Sequence, residues 1–237
     1  MSIAISAVTT KASTGTVTSL ATASISPTAD SLILATVVSR LGSSVDPTEP
    51  TLSGNGLTWV VVGTSVFDNT SSSRRRITLF RSLGASPSAG ALTADFAGQS
   101  QTSSLIVVDE ASGVDTSGTN GSGAVVQSAV NQDTSGSASS LTVTLGSFSG
   151  AGNATYGTFG YANPTYDATA GSGFTRLGNV VDSVPDIRGT TEYLLGNDTS
   201  VDMTWGSGGE VGGIAIEIKE AVAAVTTHFL ASMGVGT

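Results

Sequence analysis

The sequence predicts an all-β chain folded as an antiparallel sandwich, and three observations lead there. Apolar residues recur with a period of two from Ile3 to Lys219, the spacing of a strand with one buried face. Clusters of Gly, Pro, Asn, Asp and Ser punctuate that pattern at intervals suited to short strands. Ser, Thr and Gly supply 99 of the 237 residues (36, 33 and 30), which leaves few positions for the Lys, Glu and Leu that helical bundles require. Thr, being β-branched, also fits a solvated pleat.

Taken in order, the first strands are read over 2–8 and 16–26. The next, over 31–40, holds the longest apolar run, Leu32–Val38. A run apolar on both faces predicts a central strand covered on both sides. Trp59–Val62 within 57–67 and Leu105–Val108 within 102–111 read the same way. The segment 74–83 opens on Arg74-Arg75-Arg76, and over 91–98 Leu92, Ala94 and Phe96 alternate with Thr93 and Asp95. Strands over 124–130 and 139–146 are separated by the turn signal Asp133–Ser137. In the second of these Leu141, Val143 and Leu145 alternate with Ser140, Thr142 and Thr144. Strands over 154–161, 174–182 and 188–195 follow. Val201, Met203 and Trp205 alternate with polar residues over 200–205, and Ile214, Ile216 and Ile218 do so over 211–219. Successive side chains of a strand face opposite ways. Leu141, Val143, Met203, Trp205, Ile214 and Ile216 are therefore assigned to the core. Thr142, Thr144, Asp202 and Glu217 are assigned to exposed faces or subunit contacts.

No shift in composition divides residues 1–219, so the sandwich is assigned to 1–220. Residues 221–237 lose the period of two and form a C-terminal arm or tail. Its Val222, Val225, Phe229, Leu230 and Met233 are too apolar for a solvated terminus. They are expected to fold back on the sandwich or, the favoured reading, to reach a neighbouring copy or a lattice.

Several functions are excluded by composition. The absence of Cys excludes disulfide scaffolds, Cys-based zinc sites and thiol catalysis. A net charge of -9 argues against nucleic acid as a partner. The N-terminus does not read as a signal peptide. The longest apolar run is far short of the ~20 residues of a membrane helix, so no membrane partner is expected. His228, the only His, sits in the tail without a Ser and Asp beside it. Neither a Gly-x-Ser-x-Gly elbow nor a phosphate-binding glycine loop occurs. Neighbouring Asp109 and Glu110 face opposite ways on a strand. Glu110 with Glu192 or Glu217 is the one carboxylate pair that glycoside hydrolysis could use. Asp115–Gly123 resembles a calcium loop, but has Asn120 where Gly is needed and Val126 where the bidentate Glu belongs. The expectation is a chain that is not an enzyme and has no metal and no organic cofactor.

Arg74, Arg75 and Arg76, with Arg81, are the only basic cluster. They read either as a contact for acidic partner groups or as charges that keep a strand edge from aggregating. A protein–protein contact satisfies both. Tyr156, Tyr161 and Tyr166, near Asn163 and Asp167, are the best candidates for sugar contacts.

Between Leu32 and Asp115 the chain runs LILATVVSR, SGNGLTWVVVGT and RRRITLFRSLGASPSAGALTADFAGQSQTSSLIVVDEASGVD, and near its C-terminus GGIAIEIKEA. These segments resemble a recurrent class of β-sandwich virion proteins of tailed phages and prophages, over residues 30–220. The resemblance implies a two-sheet jelly roll on the particle surface, made in the host cytoplasm. It implies a capsid decoration (cement) subunit that binds the major capsid protein and copies of itself, as a homo-oligomer. The alternative it leaves is a tail or fibre module that binds host carbohydrate. Arg74, Arg75, Arg76, Val222, Val225, Phe229, Leu230 and Met233 are the candidate partner contacts.

Overall fold

A computed structural model describes residues 2–68, 72–162, 165–183 and 186–222. Fourteen strands and no helix occur among them. They are β1 (Ala4–Ala12), β2 (Ser19–Ile25), β3 (Leu32–Leu41), β4 (Thr51–Ser53), β5 (Val60–Val66), β6 (Arg74–Ser82) and β7 (Gly90–Asp95). Then come β8 (Ser103–Ser112), β9 (Val125–Thr144), β10 (Ala154–Tyr161), β11 (Ala168–Ala170), β12 (Thr175–Ser183), β13 (Asp186–Leu194) and β14 (Ser200–Ile218).

All pairings between these strands are antiparallel. The first half of the chain builds two sheets, of order β1-β8-β3-β6-β5 and β2-β7-β4. The second half builds a third, of order β11-β14-β10-β13-β12, with β9 added on β14. Three sheets thus stand where two are expected from the sequence.

Three apolar cores lie between the layers, and the alternation of each strand decides which core a residue enters. On β3, Leu32, Leu34 and Val38 join Leu105, Tyr156, Ile214, Ile216 and Ile218 between the five-stranded and six-stranded sheets. Ile33, Ala35 and Val37 point the other way, against Leu20, Leu92, Ala94 and Phe96 of the three-stranded sheet. That is why Leu32–Val38 and Leu105–Val108 carry apolar residues on both faces: each face has its own cover. Full burial of one Leu, Ile or Phe contributes about 1.5–3 kcal/mol.

The third core comes from strands longer than the sequence suggests. The expected strands 124–130 and 139–146 are one strand, β9, and 200–205 and 211–219 are one strand, β14. The two pair along their length, with register shifts between Thr204 and Gly209 and between Gly209 and Val211. Asp133–Ser137 and Ser207-Gly-Gly209 therefore bend a two-stranded ribbon rather than reverse the chain. At the bend a Cβ on Gly208 would stand 2.7 Å from the Ser137 Cα, so only glycine lets the backbones meet. Leu141, Val143, Val201, Met203 and Trp205, with β11, pack on Phe159, Tyr161, Val211 and Ala215. The six-stranded sheet is covered on its outer face by its own end.

Leu141, Val143, Ile214, Ile216, Met203 and Trp205 are buried, as the alternation requires. Thr142 and Thr144 are exposed and Asp202 is half-buried. Glu217 is a correction: it is fully buried. Alternation places it on the face opposite Ile216 and Ile218, but that face is roofed by Ser149 and Asn153 of the β9–β10 connection. A period of two says which face a residue takes, and a loop decides whether that face is covered.

Candidate functional site

The three consecutive arginines open β6, and their guanidinium groups are used inside the chain. Arg75 is buried and pairs with Asp68, with Glu210 3.7 Å away. Arg76 donates from Nε to the Pro47 carbonyl at 2.7 Å and from Nη1 to Thr64 Oγ1 at 2.9 Å. Arg74 donates to the Asp68 carbonyl at 3.1 Å and stands 3.6 Å from Asp46. Val222 is exposed at the mouth of a cleft of about 320 Å³ lined by Ser149, Asn153, Lys219 and Glu220. A second cleft, about 270 Å³, shares Gly152, Asn153 and Glu220 with it and reaches Ile3 and Leu195. Val225, Phe229, Leu230, Met233 and His228 lie outside the described residues.

The carboxylates weighed for acid–base work occupy separate settings. Asp109 lies between the two large sheets and accepts from the Tyr156 hydroxyl at 2.8 Å. Burial pushes its pKa up to about 6 against the opposing pull of the Thr191 and Tyr156 hydroxyls. Glu110 accepts from the Thr28 amide at 3.1 Å. Glu192 is buried, with Oε2 taking the Gly171 amide at 2.9 Å. Burial, reinforced by the Asp202 charge and opposed by that amide, lifts it to about 8. Glu217 accepts from the Ser149 amide and hydroxyl, Asn153 and Gln127. Burial works to raise its pKa, and these donors bring it below the usual value. No hydrogen bond or ion pair among the described residues joins any two of Glu110, Glu192 and Glu217.

In the Asp115 loop the carboxylate is held by Lys219 Nζ at 2.7 Å and the Ser117 amide at 2.8 Å. Lys219 first, then Ser117, lowers it to about 2. Asn120 and Gly121 take φ of 51° and 80°, the left-handed pair of a tight turn. No cluster of three His, Cys, Asp or Glu able to hold a metal ion occurs among the described residues.

The tyrosines divide. Tyr156 and Tyr161 are buried, and Tyr161 stacks on Trp205 with ring centroids 5.0 Å apart and planes at 14°. Trp205 is fixed in turn by its Nε1–H donating to the Ala138 carbonyl at 2.8 Å. Tyr161 donates its hydroxyl to the Tyr166 carbonyl at 2.8 Å. This ties the segment between β10 and β11 to the third core. Tyr166 is 41% exposed. Its ring lies on Gly206, where a Cβ would come within 2.6 Å of the ring.

Beside Tyr166, Asp167 Oδ1 gathers four donors. They are Arg188 Nη1 at 2.8 Å, Asn179 Nδ2 at 2.8 Å, Arg176 Nη1 at 2.9 Å and the Ala168 amide at 3.0 Å. Partial burial works to raise its pKa; Arg176 and Asn179, then the Arg188 charge, bring it below the usual carboxylate range. Arg176, Asn179 and Arg188 come from β12 and β13. The sequence points to Tyr166 and Asp167 but not to these three, because strand pairing alone brings them together. Asn163 lies outside the described residues. Comparison of the chain with protein-family models, with curated proteins and with solved structures finds no match.

Proposed function

We propose that this chain is a structural subunit of a tailed-phage particle, a head decoration protein that binds the major capsid protein and further copies of itself. The resemblance of Leu32–Asp115 supplies the particle. The observation that carries the reading is the outer strand β9. It pairs on one side only, with β14, among the described residues. Over its 20 residues it holds one charge, Asp133. Val126, Ser128, Val130, Asn131 and Gln132 are exposed along it. In soluble proteins a long open edge is normally blunted by charge or proline. An edge with a single charge, on a chain of net charge -9, gives like-charged copies, or a lattice, a place to meet with little repulsion.

The jelly-roll part of the reading rests on strand order. One sheet takes the first, eighth, third and sixth strands in sequence, and the facing sheet takes the second, seventh and fourth. This order resembles the interleaving of a double-sheet jelly roll and supports that part of the reading. The departure is β5, which joins β6 instead of β4.

The test is to add the purified chain to particles that lack it and to image them by cryo-electron microscopy. New density at capsomer junctions is the expected result. Density on the tail overturns decoration in favour of an adhesion module, and particles that take up no chain overturn both.

A further inference from the structure

We infer that Tyr166, Asp167 and Arg176 form a binding platform for a neutral pyranose, with the Tyr166 ring against a C–H face of the sugar and Asp167 and Arg176 taking two adjacent hydroxyls. The inference does not depend on where the chain sits on a particle.

The platform is apolar, flat and anchored. Gly206 has no side chain, so the Tyr166 ring lies directly on the β14 backbone. Tyr166 is 41% exposed, and a tyrosine ring is an amphipathic surface of the kind that stacks on ligands at low entropic cost. The Tyr166 backbone is held by the Tyr161 hydroxyl, itself part of the buried stack with Trp205.

The polar groups are complementary to a vicinal diol. All four donors to Asp167 use Oδ1. Oδ2 has no donor among the described residues, and the side chain is 58% exposed. Four bonds on one oxygen fix the direction in which the other presents its lone pairs. Among the described residues Arg176 uses only Nη1, on Asp167 and the Ala168 carbonyl, which leaves Nε and Nη2 as donors on a side chain 35% exposed. One sugar hydroxyl donates to Oδ2, and its neighbour accepts from the guanidinium. The Asp167 charge is already compensated by Arg176 and Arg188, and an open carboxylate oxygen beside open N–H groups matches the adjacent hydroxyls of a neutral ring, one donating and one accepting. A few fixed polar groups beside one apolar surface are the usual make-up of a small-ligand site.

The full chain is titrated by calorimetry with a soluble glucan, a mannan, a galactan and, as the acidic comparison, polygalacturonate. At least one neutral polymer is expected to bind. Tyr166→Ala and Arg176→Gln are each expected to weaken it about tenfold or more, with Tm unchanged, while Tyr166→Phe retains it. Should Tyr166→Ala fail to fold, Arg176→Gln on the open side of β12 carries the test alone. The inference is overturned if no neutral polymer binds at millimolar sugar, if the folded variants bind as the parent does, or if polygalacturonate alone binds.

Discussion

Asp109, Glu192 and Glu217 all lack solvent-exposed surface, and how deeply each lies, together with the donors facing it, sets its chemistry. Glu217 has four and is held ionised. Among the described residues Glu192 has one amide for Oε2 and no partner for Oε1. Its folded pKa, about 8, lies above the ~4.3 of an unfolded chain. A raised folded pKa favours the native state below the unfolded value, and that contribution is lost as pH rises through the folded value. Stability should therefore fall between about pH 4.5 and pH 8 on account of Glu192. Asp109, at about 6, adds to the fall over the lower part of that range. Glu217 has the opposite sign, and its contribution disappears only as acid titrates it below its ordinary value. Glu192→Gln removes the charge and keeps an acceptor for the Gly171 amide. Melting curves across pH should show this variant more stable than the parent at pH 9, by on the order of 3 kcal/mol, and equal to it near pH 5. A parent-like slope in the variant would assign the pH dependence elsewhere. At Asp109 the same logic separates two variants. Asp109→Asn keeps this acceptor for the Tyr156 hydroxyl, whereas Asp109→Ala removes it, leaving only the Thr36 and Thr191 hydroxyls beside Tyr156, and should cost about 1–3 kcal/mol by denaturant titration.

Strand contacts explain several glycines and set the next expectations. A Cβ on Gly178 of β12 would stand 2.1 Å from Val107 Cγ1 on β8. Val107 is fully buried and stiff at χ1, so it cannot swing aside. Gly178→Ala should destabilise by about 1–3 kcal/mol through overpacking. Val107→Ala should relieve most of that in the double variant, a coupling that a mutant cycle measures directly. On β9, Val126→Lys and Ser128→Lys place charge on the open edge without touching a core. Tm should hold while uptake by particles is lost, and retained uptake would remove β9 from the interface. Legibility of the sequence follows the same physics. β10 occupies 154–161, the span read from the sequence, and β3 differs from its reading by one residue at each end. Alternation also sorted Leu141, Met203 and Ile214 correctly. It could not find β4 and β11, three residues each, because so short a segment has no measurable period. It also divided β9 and β14, since bend and reversal use the same Gly and Ser. At the sugar platform Tyr166 and Asp167 stood out as residue types. Arg176 and Arg188 did not, because the pairing of β12 with β13 and the docking of Asp167 are tertiary facts.

Across the molecule the layers run from the three-stranded sheet, through the five-stranded and six-stranded sheets, to the folded-over end of the β9–β14 ribbon. The central core draws on residues from Ile3 to Ile218, so the two halves of the chain share their largest apolar surface. Each outer core has its own tryptophan: Trp59 packs against the core under the three-stranded sheet and Trp205 sits in the core under the ribbon end. These are the only two in the chain. Trp59→Phe leaves a reporter at one end of the stack and Trp205→Phe leaves one at the other. If the central core couples the layers, each variant unfolds in urea with its fluorescence transition coincident with its own circular dichroism transition, as one cooperative unit requires. The two midpoints will differ, because Trp205→Phe also removes the bond to the Ala138 carbonyl and alters the stack on Tyr161. The comparison is therefore made within each variant, not between them. A fluorescence transition that precedes the loss of β signal in the variant retaining Trp205 would show the ribbon end opening as a separate unit. That result would also loosen the anchor beneath Tyr166, since Tyr161 holds its backbone from that same core.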